Sequence, residues 1–121
     1  MIFKDNFYSI NNISETEGII DASIFIDASH PIFSGHFPGN PVTPGVVQVE
    51  MLKELLSVHY QRPLRLKSMS NCKFQAILNP HVHPDIFVKI KLLPSEAGAI
   101  KISGNITSGS ISFLQIQAIF Y

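Results

Sequence analysis

The segment Thr43-Pro44-Gly45-Val46-Val47-Gln48-Val49-Glu50-Met51-Leu52-Lys53-Glu54-Leu55-Leu56-Ser57-Val58-His59-Tyr60 decides the fold of this 121-residue chain. Thr43 suits an N-cap and Pro44 the first helical position, where its missing N–H costs nothing, so a helix is predicted to start here. It should run to about His59 or Tyr60, stopping ahead of Pro63. At about 100° per residue, Val46, Val47, Val49, Met51, Leu52, Leu55 and Leu56 cover most of the circumference. Glu50, Lys53 and Glu54 are left in one narrow polar strip beside Gln48. A helix so apolar is predicted to be buried nearly all round.

Outward from the helix, the patterning is that of strands. Before it, Phe7 to Ile13 alternates loosely, Glu15-Thr16-Glu17-Gly18 reads as a turn, and Ile19 to Asp27 is again β-like, which predicts a hairpin. Ser29 to Pro44 holds Pro31, Gly35, Pro38, Gly39, Pro41 and Pro44, so it is predicted to be a structured loop with at most a short helical turn. After the helix come Leu64 to Leu78, Ile86 to Leu93, Ala99 to Thr107 and Ser110 to Phe120, with breaks at Asn79-Pro80, Pro94-Ser95 and Ser108-Gly109. The last two form a hairpin. Ile111 and Phe113 belong to one face and Leu114, Ile116, Ala118 and Phe120 to either, so the final strand is apolar on both faces and is expected to carry a bulge that switches register. Hairpin, loop, one buried helix, then antiparallel strands is an α+β plan in which a curved sheet wraps one helix, and the whole of 1–121 is read as one domain.

The composition excludes several classes of function. Nine basic residues balance nine acidic ones, which argues against nucleic acid as the main partner, since phosphate binding needs a concentrated basic face. Zero net charge with a mean hydropathy of +0.22 favours self-association, because little repulsion opposes the pairing of apolar surface. The single cysteine, Cys72, excludes an intrachain disulfide and any multi-cysteine metal site, and a cytoplasmic setting is the simplest reading. Cys72 itself reads as a small buried hydrophobe. Met1-Ile2-Phe3-Lys4-Asp5-Asn6 lacks the pattern of a signal peptide. The apolar stretch Gly45 to Leu56 is far short of the ~20 residues of a membrane span.

Chemistry-bearing residues concentrate in Gly35-His36-Phe37-Pro38-Gly39-Asn40-Pro41-Val42-Thr43-Pro44-Gly45-Val46-Val47-Gln48-Val49-Glu50. The run offers an imidazole on a stiffened loop, free N–H groups at a helix start, and a carboxylate about one and a half turns into that helix. Histidine accepts a proton at neutral pH, a carboxyl group in an apolar lining can donate one, and the Gly45 N–H can hydrogen-bond a carbonyl oxygen as charge builds on it. Each part also has a plain structural reading: a hydrogen-bonded loop histidine, a Glu50–Lys53 pair at i,i+3, and turn punctuation. His81 and His83 alternate along the chain, but two ligands without a third do not make a metal site.

The same run, with Gly35-His36-Phe37-Pro38-Gly39-Asn40-Pro41 followed by Pro44-Gly45-Val46 and Glu50, resembles the signature of the hotdog-fold 3-hydroxyacyl-acyl-carrier-protein dehydratases of fatty acid biosynthesis. The match covers about 16 contiguous residues, and the spacing from His36 to Glu50, 50 − 36 = 14, is the family's own. Asn71-Cys72-Lys73-Phe74 resembles a strand motif of that family ending in Lys-Phe or Arg-Phe. Short relatives of this kind also look like accessory dehydratases of polyene-pigment or polyketide-like biosynthesis. The resemblance implies a hotdog fold, His36 as the base that removes the α-proton of a 3-hydroxyacyl thioester, and Glu50 as the acid that protonates the departing hydroxyl. It further implies that Gly45 binds the thioester carbonyl, that Phe37, Val46 and Val47 shape the start of an acyl tunnel, and that no metal or organic cofactor is needed. The implied partners are an acyl carrier protein and a second copy of the chain, with Glu50 supplied across the interface of a homodimer or higher oligomer.

The chain departs from the family pattern in two places. Where the family usually has glutamine four residues after its acid, this chain has Glu54, and two carboxylates at i,i+4 are expected to raise the pKa of at least one of them. After Phe74 the family's Arg-Arg-Pro-Val run and Pro-Gly-Asp turn are replaced by Gln75-Ala76-Ile77-Leu78-Asn79-Pro80-His81-Val82-His83-Pro84-Asp85. Arg62, Arg65, Lys67 and Lys73 are then the candidates for a basic edge facing an acidic carrier, against the plain reading of scattered surface charge. Two alternatives stand beside the dehydratase: a hotdog thioesterase, and a non-catalytic subunit that binds acyl carrier protein within a heterodimer.

Overall fold

The computed structural model describes residues 1–34 and 41–121. Strands β1 (Tyr8–Thr16) and β2 (Ile19–Ile26) precede the helix α1 (Gly45–Tyr60), and β3 (Leu66–Phe74), β4 (Asp85–Leu93), β5 (Ile100–Ser108) and β6 (Ile111–Phe120) follow it. The six strands form one antiparallel sheet in the order β1-β2-β4-β5-β6-β3. This is the α+β plan of one helix held by a curved sheet.

The first hairpin turns tighter than predicted. Glu15 and Thr16 still pair with Ile20 and Ile19, and only Glu17 and Gly18 make the turn, with φ of 52° and 80°. Positive φ at both central residues gives the two-residue turn whose twist matches the strands, which is why a glycine stands second. Phe7 lies outside the strand, its N–H donating to the Phe3 carbonyl at 2.8 Å. Asp27 ends β2 by accepting from the Ser29 N–H and hydroxyl, and those two donors hold its carboxyl below the usual range. The proline-rich loop contains a short 3-10 turn at Pro31–Phe33, capped by the His30 ring.

The core follows the two periodicities. Ile86, Val88 and Ile90 of β4 point inward while Asp85, Phe87, Lys89 and Lys91 point out, the period of two expected of a strand with one wet face. Val47, Met51, Leu52, Leu55 and Leu56 of α1 join them in one cluster with Ile20 and Ile24 of β2, Ile102 and Ile106 of β5, and Leu114, Ile116 and Phe120 of β6. The bulge expected in the last strand is present: Ile106 pairs with Leu114 but Thr107 with Ser112, leaving Phe113 as the extra residue. Phe113 and Leu114 are both buried as a result.

Two further expectations are corrected. The strand predicted over Leu64 to Leu78 spans only Leu66–Phe74, because beyond Phe74 the chain turns to α1, where the Leu78 carbonyl accepts the Thr43 N–H at 2.8 Å. The helix is not buried all round. Val46 is 78% exposed, whereas Gln48, Glu54 and Ser57, polar by composition, are buried.

Candidate active site

The start of α1 is built one residue later than the sequence predicts. Pro44 occupies the N-cap with extended backbone (φ −59°, ψ 149°), no side chain caps the helix, and Gly45 is the first helical residue. Thr43 is drawn away from capping by its N–H bond to Leu78. Its carbonyl accepts from Gln48 Nε2 at 3.1 Å, while Thr43 Oγ1 and Gln48 Oε1 are buried without a partner among the described residues. The Val47 and Gln48 N–H groups share the Pro44 carbonyl, leaving those of Gly45 and Val46 without a protein acceptor among the described residues, as the first turn of an uncapped helix must. Such N–H groups attract a carbonyl oxygen that is gaining negative charge.

The backbone at Gly45 is closely approached by a side chain. A Cβ built on it would lie 2.5 Å from the Phe74 ring, so the ring of the last β3 residue sits directly over the helix start. Gly45, Gln48, Phe74, Val42 and Ile77 line a cavity of about 430 Å³ at this end of the helix.

Glu50 lies five residues beyond Gly45, partly exposed, its Oε1 3.0 Å from the Lys53 ammonium. The next acidic residue is in a different environment. Glu54 is only 1% exposed, and its Oε2 accepts the N–H groups of Ile2 (3.0 Å) and Phe3 (3.1 Å) while its Oε1 accepts the Lys4 N–H (2.9 Å) and the Tyr8 hydroxyl (3.0 Å). Burial, followed by the adjacent Glu54 carboxylate, pushes the Tyr8 phenol well above its usual value. Glu54 is thus a clasp for the amino-terminal segment, and a donor set separate from that of Glu50 surrounds it. A buried carboxylate is tolerable only when its lone pairs are filled in this way.

His36 and Phe37, the predicted base and one tunnel residue, lie outside the described residues. Gly45, Val46 and Glu50 lie on the outer side of α1, whereas Val47 faces the core at 4% exposure. Arg62, Arg65, Lys67 and Lys73 are all exposed. His81 and His83 fall in a turn rather than a strand, with the His83 ring against Phe113 at 5.4 Å. Among the described residues no group of three metal-ligating side chains forms, and no helix is long and apolar enough to cross a membrane. Cys72 is half-buried in β3, its thiol pushed up by burial. Local sequence reading missed the Glu54–Tyr8 bond because 46 residues separate its partners. The one available signal is the position of Glu54 among leucines on an apolar helix, which demands donors from elsewhere.

Comparison with known proteins identifies the family and the fold. The ApeI-like family model, described as ApeI dehydratase, matches residues 12–107. A 3-hydroxyacyl-acyl-carrier-protein dehydratase FabZ from Rickettsia canadensis (strain McKiel) is 31% identical over 97 residues, covering 70% of this chain and 68% of that protein. The FabZ of Rickettsia bellii (strain OSU 85-389) is 27% identical over the same length, covering 70% and 67%. Among solved structures, the dehydratase heterocomplex ApeI:P from Xenorhabdus doucetiae superposes with a TM-score of 0.70 at 18% identity, over 92% of this chain and 95% of that one. A mutant thioesterase from Staphylococcus aureus superposes with a TM-score of 0.64 at 8% identity, over 93% and 90%. Both share the fold of one helix and a wrapped antiparallel sheet. From the family match and the FabZ relatives together, the chain belongs to the hotdog-fold 3-hydroxyacyl-acyl-carrier-protein dehydratase family, as an ApeI-like dehydratase.

Proposed function

We propose that this protein eliminates water from a 3-hydroxyacyl thioester carried by an acyl carrier protein, giving a trans-2-enoyl thioester for fatty acid or polyene-like biosynthesis in the cytoplasm. The observation that carries the reading is the N–H of Gly45, without an acceptor among the described residues, at the start of a helix whose partly exposed Glu50 carboxylate is free to serve the site of a second copy. In the proposed reaction the Gly45 N–H holds the thioester carbonyl, which makes the α-proton acidic enough for His36 to remove it. The C3–O bond then breaks, the hydroxyl leaves as water with a proton from the partner subunit's Glu50, and the electron pair of the former C2–H bond becomes the C2=C3 double bond. The proton on His36 later restores the acid. Phe37, Val46 and Val47 are the proposed first residues of the acyl tunnel, and no cofactor enters the scheme.

The working form is proposed to be a homodimer. Strand β3 is an edge strand along which only Cys72 is less than exposed, and Leu66, Met69 and Phe74 are exposed large apolar residues on it. An unprotected apolar edge is a site for pairing with another strand. A second reading has a specific observation behind it: the ApeI:P structure is a heterocomplex, so this chain would be one subunit beside a different hotdog chain.

The deciding experiment incubates the purified protein with 3-hydroxyacyl thioesters of carrier protein and of coenzyme A and follows the conjugated enoyl absorbance, in parallel with His36→Ala. Absorbance growth lost in the variant is expected. No growth with any thioester, together with a stable heterodimer that is active where the lone chain is not, would replace the homodimeric enzyme with the second reading. Release of free thiol in place of the enoyl band would make it a thioesterase.

A further inference from the structure

The corner that delivers the Gly45 N–H is held from the buried side of α1. Two peptide planes meet at Pro44, whose ring fixes φ at −59° and whose ψ of 149° sets the direction in which the Gly45 N–H leaves the corner. Three contacts fasten it. The Thr43 N–H donates to the Leu78 carbonyl at 2.8 Å, and the Val47 and Gln48 N–H groups both donate to the Pro44 carbonyl at 3.1 Å. Between these, Gln48 Nε2 donates to the Thr43 carbonyl at 3.1 Å.

The Gln48 contact replaces a cap that this sequence cannot form. In the usual reciprocal arrangement a Ser or Thr N-cap binds a first-turn N–H, and a Gln or Glu three residues on reaches back to the N-cap N–H. Pro44 has neither an N–H nor a capping side chain, so the carboxamide of Gln48 takes the Thr43 carbonyl instead. Gln48 is only 3% exposed, buried like Val47, Met51 and Leu52 of the same helix. Its Oε1 is buried without a partner among the described residues. Burying an amide that is only half satisfied opposes folding, so packing does not account for a glutamine here. The same side chain lines the cavity of about 430 Å³ at the helix start, together with Gly45 and Phe74.

We propose that Gln48 is a positioning residue for the elimination: by holding the Thr43 carbonyl it fixes the Pro44 corner, and with it the line along which the Gly45 N–H meets the thioester carbonyl. The inference rests on the dehydratase reading for the identity of that carbonyl. An N–H stabilises an oxyanion best when it is already aimed at the place where charge develops, because turning it during the reaction offsets the bond's contribution. First-turn N–H groups have no preceding turn to hold them. Without the Gln48 bond the corner keeps only the contacts at its two ends, the Thr43 N–H and the Pro44 carbonyl, and the peptide between them can turn.

The test follows a carbonyl in the site. The probe is a ketone analogue of hexanoyl-pantetheine, with a methylene in place of the sulfur and carbon-13 at the carbonyl, which can be neither dehydrated nor hydrolysed. Its infrared stretch falls in frequency when a donor engages the oxygen. With the full chain the band is expected to move down from its position in buffer. Gln48→Met keeps the length but lacks the NH2 group, and Gln48→Asn is polar but one methylene too short to reach. In both, the band is expected to return most of the way to its buffer position. Their kcat for a 3-hydroxyacyl thioester is expected to fall by about tenfold to a hundredfold with KM unchanged, the scale of misplacing one preorganised donor. Either variant suffices if the other does not fold. A band that stays at its buffer position with the parent, an equal downward shift in parent and variants, or a rise in KM with kcat retained overturns the proposal. A shift that depends on Gln48 in a protein that dehydrates no thioester sustains the positioning role and removes only the dehydratase reading.

Discussion

Glu50 and Glu54 stand one turn apart on the same helix, and the structure gives them opposite surroundings. Glu50 keeps a share of solvent and a single flexible partner, Lys53. Glu54 is sealed in, with both oxygens filled by three backbone N–H groups and a phenol. A carboxylate available for proton transfer needs the first environment, since a group whose lone pairs are all committed cannot exchange its proton without undoing the fold around it. The pair shows that residue type and spacing alone do not identify the acid of a site. What distinguishes the two is which donors other parts of the chain bring to each.

The comparison can be broken most sharply by exchanging their chemistry. Glu50→Gln should lower the elimination rate by about 10²- to 10⁴-fold, the usual contribution of a general acid, while its unfolding free energy stays within about 0.5 kcal/mol because only a surface ion pair is lost. Urea unfolding beside the enoyl assay reads both numbers, and a fall in stability with activity retained would reverse the assignment. Glu54→Ala should show the mirror image, a loss of about 3 kcal/mol as buried donors are left unsatisfied; an unfolding midpoint equal to that of the parent would dissolve the clasp.

A smaller effect is expected at the helix start. Gly45→Ala must displace the Phe74 ring, which is half-exposed and able to swing, so a stability cost near 1 kcal/mol is expected from overpacking. The companion Phe74→Ala should remove that cost in the double variant, and additivity of the two would show that the ring contact is not what requires glycine.

The other end of the Glu54 clasp is tested at Tyr8. Its phenol is held above the usual value of 10.0 in the folded chain, so above that pH the unfolded state releases a proton that the folded state retains, and stability falls as pH rises. At neutral pH, where neither state ionises, Tyr8→Phe loses about 1.5 kcal/mol for one hydrogen bond to a charged group. In thermal melts at rising alkaline pH the parent should decline more steeply than the variant, and parallel curves would contradict the buried, carboxylate-facing phenol.

Much of the fold is legible in local pattern. The alternation in Ile86–Ile90, the apolar circumference of Gly45–Leu56 and the doubled apolar face at Phe113–Leu114 are read from neighbouring residues, because strand and helix periodicities act over short spans. The motif from Gly35 to Glu50 is equally local and sufficed to nominate His36, Gly45 and Glu50. The errors share a cause. Thr43 suits a cap by its side chain, but its backbone N–H is bound by the carbonyl of Leu78, far along the chain. Val46 reads as buried by its hydropathy, and Glu54 as one of a narrow polar strip by its charge.

The sequence by itself therefore determined the order of elements, the helix and its approximate ends, the bulge, and the family through one dense motif, since each is set by short-range periodicity or contiguous residues. Only the tertiary structure decided that Glu54 fastens the amino-terminal segment and that Phe74 lies over Gly45. Those features depend on contacts between residues tens of positions apart, where burial and the supply of hydrogen-bond donors are settled by how the sheet wraps the helix.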